Sequence, residues 1–532
     1  MTTIPGTTTM LQPIAIDSSS FPELRRKNCV YVDKTAYFHR LITRLDANRF
    51  FIARPRRFGK SLMISTLKAL FQGKRELFEN LAISKTDWKW EEYPVMHFNM
   101  GFAASSTAGE FKGNFRDTVS AAINAAGGSY DSEKSAASNF GAAIDALSAL
   151  NKDKGVVILI DEYDDPVAQL LDNCDEAENV RGYLADFYRQ MKDRTDKIRF
   201  LMITGVSKFT KMSVFSALSN LVDLSFEDEC ATMLGYTEAE LDEFFGGHMQ
   251  AHAAKMGLSQ ADYRNELKRW FNGYRFGRYS DETVYNPVSI GVNLSSREPA
   301  FRSCWSSTGK ASMLMNYMKR EDFLGVDMDC VQNVQEQDFD VSDIRALRSV
   351  PMLFQTGYLT IKDYDPYSRT FTLGVPDTEV RQDLATLAGS VMANRDSSWI
   401  SSLGIQLLKG MWEPFFAGLR SLYAALPYGS LEGSVHEFSF ERVLLTLLWA
   451  QAIQCRTEDR QANGQADIVA THACGIYIFE LKVDESAEAA LAQVKAKHYD
   501  APYRASKLPI WLIGLNFDRK TRQLSDAKAE KI

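Results

Sequence analysis

The segment from Arg49 to Ser61, RFFIARPRRFGKS, runs on into LMISTLKALF and constrains the fold of this 532-residue chain more than any other stretch. Phe50, Phe51 and Ile52 make a short apolar run suited to a buried strand. Leu62, Ile64, Leu67 and Leu70 then give the following segment a helical apolar face. A strand, a tight turn and a helix start in that order gather backbone N–H groups at the positive end of a helix, which cradles phosphate. Lys60 can then reach the β- and γ-phosphates, and the Ser61 hydroxyl can hold Mg2+. Only the first position of GxxxxGK[ST] fails, because Arg54 stands where the leading glycine belongs.

The second half of such a site is a buried strand ending in acids. Val156 to Ile160 (VVILI) runs straight into Asp161 and Glu162. In that arrangement the first acid orders Mg2+ and the second polarises the attacking water. The alternative is an acidic surface turn after a core strand. A third apolar run, Arg199 to Ile203, ends in Thr204 and Ser207, whose hydroxyls are placed to sense a γ-phosphate. A helix N-cap accounts for Ser207 equally well.

These segments belong to a longer ordered set. It comprises FPELRRKNCVYVDKT (Phe21 to Thr35), RPRRFGKSL (Arg54 to Leu62), YPVMHFNM (Tyr93 to Met100) and LIDEYDDP (Leu159 to Pro166). TGVSKFTKMSVFSALSNLVDLS (Thr204 to Ser225), GYTEAEL (Gly235 to Leu241), WFNGYRF (Trp270 to Phe276) and YNPVSI (Tyr285 to Ile290) follow. Through them the chain resembles the AAA-ATPase-like proteins that carry a C-terminal PD-(D/E)XK nuclease domain, over roughly residues 21 to 505. RPRRFGKS is that family's own form of the phosphate loop, so Arg54 ceases to be an objection. The resemblance implies an ATP and Mg2+ site formed by Arg54, Pro55, Arg56, Arg57, Phe58, Gly59, Lys60 and Ser61 with Asp161, Glu162 and Thr204. Two departures touch neither Lys60, Ser61, Asp161 nor Glu162. Asn99 sits where the family usually has an aspartate, and Asp165 follows Asp164 where a lysine is more usual.

A chain of this length exceeds one core, and ordinary domain sizes suggest about three or four. With 45% hydrophobic and 24% charged residues, the composition is that of a globular protein. A net charge of −7 gives no global attraction to nucleic acid, so any DNA-binding surface must be local. Seven cysteines without a CxxC pair argue for a reducing compartment and against a structural zinc site. The N-terminus lacks the basic and apolar regions of a signal peptide, and no apolar run approaches the ~18 residues that span a bilayer. A cytoplasmic protein with no membrane partner is expected.

The fold class expected is α/β: a P-loop NTPase parallel sheet with a helical lid and a winged-helix-like module, followed by a C-terminal α/β PD-(D/E)XK nuclease-like domain. Alternating strand and helix signals from about Tyr31 to Ser225 suit the parallel sheet. Thr237 to Phe245 opens the lid with a good helix start. Ser349 to Val380 reads as a short helix and a two-stranded wing, Tyr358 to Lys362 and Thr370 to Gly374, either a packing hairpin or a DNA reader. The divisions expected are a flexible lead at 1–20, ATPase core at 21–230, lid at 231–342, winged module at 343–390, helical linker at 391–426 and nuclease-like domain at 427–532.

Near the C-terminus, GQADIVA (Gly464 to Ala470) and GIYIFELKV (Gly475 to Val483) read as two strands joined by a short turn. Alternation puts Tyr477, Phe479 and Leu481 on one face and Ile478, Glu480 and Lys482 on the other. A paired neighbour can bring Asp467 beside Glu480. Asp467 and Glu480 would bind Mg2+ or Mn2+ through hard oxygens, while Lys482 would position the hydrolytic water and stabilise the transition state. The resemblance adds Glu437 as a further metal ligand, with helix capping as its alternative. Glu441 stands where the family commonly has a histidine. It also places Gln493 and Tyr499 near the site. Lys495 and Lys497 are either phosphate contacts or a solvated helix face.

The expected function is an ATPase coupled to a metal-dependent nuclease acting on DNA, in a homo-oligomer, and such architectures imply mobile-element or antiphage activity. The alternative is an ATP-switched oligomerising scaffold whose nuclease-like domain only binds nucleic acid.

Overall fold

The computed structural model describes residues 11–208, 220–304, 329–340, 348–425, 437–461 and 464–532. The chain divides into two compact units, Met1–Arg302 with Asp327–Asp377 and Ser303–Val326 with Thr378–Ile532.

The first unit is built on a parallel sheet of β1 (Arg49–Ala53), β2 (Val95–Asn99), β3 (Val156–Asp161), β4 (Ile198–Gly205) and β5 (Val222–Asp223), in the order β2-β3-β4-β1-β5. Every residue of β3 is buried, as befits a parallel strand enclosed on both faces. β4 separates the GKS strand from the acid strand. The carboxyl ends of β1, β3 and β4 therefore open on the same side, where open α/β sheets place their ligands.

The Glu238–Met256 helix starts at the expected Thr237, in a capping box with Glu240. The Gln260–Phe271 helix follows and leads to a short hairpin of β6 (Asn272–Tyr274) and β7 (Val284–Tyr285). Two of the sequence motifs serve as joints here. Lys34 of YVDKT is buried and donates to Thr232 O at 2.7 Å and to Glu240. Tyr274 of NGYRF donates its hydroxyl to Gly357 O at 2.9 Å, and the Arg275 amide donates to Thr360 Oγ1 at 2.8 Å.

The stretch expected as a winged module contains the Ser349–Thr356 helix and the hairpin β9 (Thr360–Asp365) and β10 (Thr370–Gly374). The two-stranded wing has a third member, β8 (Val331–Gln335), paired antiparallel to β10 and drawn from residues expected in the lid. Val334 alone of VQNVQ is buried, so the strand carries almost no apolar alternation. Residues 11–20, expected in the flexible lead, are also held in place. Val30 N–H donates to Pro13 O at 2.9 Å, the His248 ring meets Gln12 O at 3.0 Å, and Ile14 and Ile16 lie against Gly291.

The second unit centres on a sheet in the order β11 (Gln454–Gln461), β12 (Gly464–His472), β13 (Gly475–Val483), β14 (Ile510–Asp518), β15 (Gln523–Lys531). β13 and β14 are parallel, and the other pairs are antiparallel. Tyr477, Phe479 and Leu481 face one apolar core, while Ile476 and Ile478 face another that includes Leu491 and Val494 of the Ala487–Lys497 helix. Residues 391–426 are more than the expected linker. Ile400, Leu403 and Leu407 of one helix and Phe415, Leu419 and Leu422 of the next join the first of these cores with Phe440 and Phe517. The Thr378–Ala393 helix belongs to this unit too, so the boundary falls at 377/378, inside the expected 343–390 module. Its Ala385 packs in the same apolar cluster.

Among the described residues, no helix is long and apolar enough to cross a membrane. Among the described residues, no disulfide joins any of the cysteines.

Candidate nucleotide and nuclease sites

β1 ends at Ala53 and the Lys60–Phe71 helix begins at the seventh residue after it, so Arg54–Gly59 forms the loop. Gly59 is the helix N-cap at φ 86°, with no side-chain cap. A methyl group added there would meet nothing within 4 Å, so it is the left-handed backbone that requires glycine. Arg57 is also left-handed, at φ 69°. Lys60 reaches back into this loop and donates to Arg54 O and Pro55 O, each at 2.8 Å. Burial pushes its ammonium down to about 8, against the pull of Asp161, Asp164 and Glu162. Ser61 occupies the first turn of the same helix.

Asp161 closes β3 and is buried. Its Oδ1 accepts from Thr204 Oγ1 at 2.5 Å and from the Glu162 amide at 3.1 Å. Glu162 adopts φ 54°, an uncommon conformation for a non-glycine residue. Its carboxyl is raised above the ordinary range, first by burial and then by Asp161 and Asp165. Its side chain fills the space a side chain at Gly101 would need. Asn99, in register with Asp161, accepts the Gly101 amide at 3.0 Å. An amide here adds no further negative charge beside three carboxylates. Arg56 reaches Asp165 at 3.3 Å, which pairs an arginine of the loop with the acid that replaces the usual lysine.

Two residues grouped with the nucleotide ligands turn their side chains elsewhere. Arg54 is buried, donates to Ala53 O, Ser225 O and Cys230 O, and lies 4.2 Å from the centre of the Phe276 ring. Phe58 packs edge-on against Tyr274 and Phe276. Both side chains anchor the loop internally, since a long arginine can satisfy three carbonyls only where they converge. The Ser207 hydroxyl donates to Asp164 Oδ2 at 2.5 Å, and the residues after 208, where a helix capped by Ser207 would begin, lie outside the described residues.

Replacing Glu162 by glutamine keeps the size and removes the carboxylate. If Glu162 is the base of an ATPase site, turnover of ATP should fall ~10²-fold or more while ATP affinity is retained, as steady-state kinetics beside equilibrium binding would show. Because the Glu162 carboxyl is raised, its ionised form, and with it turnover, should be lost at a higher pH than an ordinary glutamate would allow. Gly205 tests the packing behind these acids. A Cβ there would lie 2.5 Å from the Tyr163 ring and 2.7 Å from Asp164 Oδ1. Gly205→Ala should destabilise the fold by about 1–3 kcal/mol, measured by denaturant unfolding.

In the second unit the β12–β13 ladder runs from His472↔Gly475 to Ile468↔Phe479 and stops. The next residue on each strand is Asp467 and Glu480. Asp467 Oδ2 accepts the Leu481 amide at 2.7 Å, so a carboxylate takes the place of a ladder carbonyl. Glu480 is 1% exposed, and its Oε1 accepts from Lys482 Nζ at 3.2 Å and from the Gln493 side-chain amide. The structure thus brings Asp467, Glu480, Lys482 and Gln493 to the point where the strands part. Lys495 donates to Glu530 at 2.7 Å, which favours the solvated helix face for that residue. Glu437 begins the Glu437–Trp449 helix, and its side chain lies outside the described residues.

Among the described residues no three His, Cys, Asp or Glu side chains converge as a metal site. The two carboxylates Asp467 and Glu480 are hard oxygen donors of the kind Mg2+ and Mn2+ take, and these ions keep several waters. The donor set therefore fits such an ion with water completing its shell.

A phosphate loop on one strand of a parallel sheet, with acids on the next strand but one, defines a nucleotide-binding domain of the P-loop ATPase class; the parted hairpin bearing D, E and K defines a second domain of nuclease type. The family model described as Predicted AAA-ATPase matches residues 13–215, and the model described as PD-(D/E)XK nuclease superfamily matches residues 436–527. The chain is 31% identical over 531 residues to an uncharacterized protein in the vnfD 5' region of Azotobacter chroococcum mcd 1, covering 96% of this chain and 97% of that one. It belongs to the AAA-ATPase-like proteins that carry a C-terminal PD-(D/E)XK nuclease superfamily domain. No solved structure matches it.

Proposed function

We propose that this protein hydrolyses ATP at the Lys60–Asp161–Glu162 site and uses the nucleotide state to control metal-dependent cleavage of DNA at Asp467, Glu480 and Lys482. The observation that carries the nuclease half is that, where β12 and β13 part, Asp467 accepts the Leu481 amide between Glu480 and Lys482, which pair with each other. A structural charge pair on a strand needs no such break in the ladder.

At the nucleotide site, Lys60 exchanges the carbonyls of Arg54 and Pro55 for phosphate oxygens. These bring negative charge into direct hydrogen-bond contact with the ammonium, whose bonds are otherwise to two carbonyls. The Lys60–Phe71 helix N-terminus and the backbone of Pro55, Arg56, Arg57 and Gly59 receive the remaining phosphate charge. Ser61 and Asp161 would hold Mg2+, with Thr204 fixing the carboxylate of Asp161, and Glu162 would polarise the attacking water.

At the nuclease site, Asp467 and Glu480 would hold Mg2+ or Mn2+, with Glu437 proposed as an additional ligand. The ion, when bound, lowers the pKa of a water and polarises the scissile phosphate. Lys482 holds that water and offsets the charge that develops on the phosphate. Gln493 keeps Glu480 in place. The protein is proposed to act in the cytoplasm as a homo-oligomer, in mobile-element or antiphage activity.

The test is cleavage of single- and double-stranded DNA with Mg2+ or Mn2+ in the presence of ATP. The wild-type protein should cleave, and Lys482→Ala should reduce the rate by ~10²-fold or more with its fold intact. Equal cleavage by both proteins would refute the assignment of this site.

A further inference from the structure

Between the two acids of the nucleotide site and the rest of its unit lies a buried carboxylate that the proposed mechanism does not use. Asp164 is 3% exposed. Its oxygens accept from the Val206 amide at 3.2 Å, the Ser207 amide at 2.8 Å and the Ser207 hydroxyl at 2.5 Å. Burial raises its carboxyl, and these hydrogen bonds act against the rise by favouring the ionised form.

The turn that Asp164 grips is shared by three parts of the site. Thr204, at its start, donates to Asp161. Gly205 O accepts the Arg54 amide at 3.1 Å, which fixes the first residue of the phosphate loop. The Tyr163 amide donates to Thr204 O at 3.1 Å, and its hydroxyl donates to Ser207 O at 2.8 Å. Residues 161–164 therefore wrap around residues 204–207. A side chain larger than hydrogen at Gly205 would meet Tyr163 and Asp164, so the wrap closes without slack.

We infer that Asp164 is a positioning residue for ATP hydrolysis: by holding the amides of Val206 and Ser207 it sets where Thr204 presents its hydroxyl to Asp161 and where the phosphate loop begins. The inference rests on the proposed ATPase reading and deepens it. Its effect passes through Thr204 and Arg54. A carboxylate is suited to the task, because it accepts all three donors at once, whereas an asparagine would turn an N–H toward one of them. Loss of the grip lets the Thr204 turn shift while leaving Lys60 and the helix N-terminus to bind phosphate. The effect should therefore fall on turnover more than on affinity.

The experiment compares wild type, Asp164→Asn, Ser207→Ala and Lys60→Ala in the full chain, by steady-state ATPase kinetics, equilibrium ATP binding and thermal unfolding. Asp164→Asn should lower kcat between ~10-fold and ~100-fold, as misplacement of a reacting group does, with ATP affinity within about threefold of wild type. Ser207→Ala removes one of three donors and should lower kcat by about threefold with affinity unchanged, which keeps the inference testable if Asp164→Asn does not fold. Wild-type kcat in Ser207→Ala, or in a folded Asp164→Asn, would overturn the inference. So would a loss of affinity as large as the loss of turnover. Wild type with no turnover above Lys60→Ala would instead overturn the ATPase reading itself.

Discussion

Replacing Lys60 by alanine should abolish ATP hydrolysis, with turnover at least ~10³-fold below wild type, because one preorganised charged donor to the transferred phosphoryl group is lost from a water-poor site. The side chain is buried and already points into the loop, where it bonds to two carbonyls. Its removal leaves Arg54 O and Pro55 O without that donor, a cost of about 1–3 kcal/mol, and also relieves the burial of an ammonium. The opposing terms keep the change in stability small, so loss of turnover in a folded variant reports on chemistry. Phosphate release from a variant whose unfolding midpoint stays near wild type is the measurement. Normal turnover would remove the phosphate loop from the mechanism.

Replacing Glu480 by alanine should have an effect of similar size on DNA cleavage and none on ATP hydrolysis. Glu480 is a proposed metal ligand and also the acceptor for Lys482 and Gln493. Its loss deprives the site of a hard oxygen donor and leaves Lys482 without the partner that holds it there. Cleavage should fall ~10³-fold or more, since removal of a residue that works as part of a unit costs nearly as much as removal of the unit. Excess Mn2+ should not restore the rate. The buried position makes a stability loss of about 1–3 kcal/mol the expected accompaniment, and ATPase activity of the same preparation serves as the folding control.

Sequence and structure agree most closely where patterns are strong. VVILI and the strand–GKS–helix run announce the sheet, because buried parallel strands and amphipathic helices leave periodic apolar signatures. Glu480 and Lys482 were readable together because strand alternation fixes a common face. What the residues alone did not show is which polar side chains turn inward. Arg54 breaks the phosphate-loop pattern, and the structure shows its guanidinium spent on Ala53, Ser225 and Cys230, the last two more than 170 residues away in sequence. Asp164 lies beside the two recognised acids, but its partners Val206 and Ser207 come from the turn after β4, so nothing local marks it as buried.

The same reasoning accounts for the divisions of the chain. β8 shows one buried valine among polar residues, and such a strand is legible only through its partner β10. The helices of 391–426 look like a connector until Leu403, Leu407, Phe415 and Leu419 are seen against Phe440 and Phe517. The lysine of YVDKT and the tyrosine of NGYRF make long-range joints for which sequence spacing holds no signal.

The central claim is that one nucleotide site governs one nuclease site, and DNA cleavage by wild type, Lys60→Ala and Glu480→Ala, each with and without ATP in Mg2+, tests it most directly. Wild-type cleavage should change with ATP, Lys60→Ala should be indifferent to ATP, and Glu480→Ala should hydrolyse ATP without cutting. Cleavage by wild type and Lys60→Ala that responds identically to ATP would contradict the account.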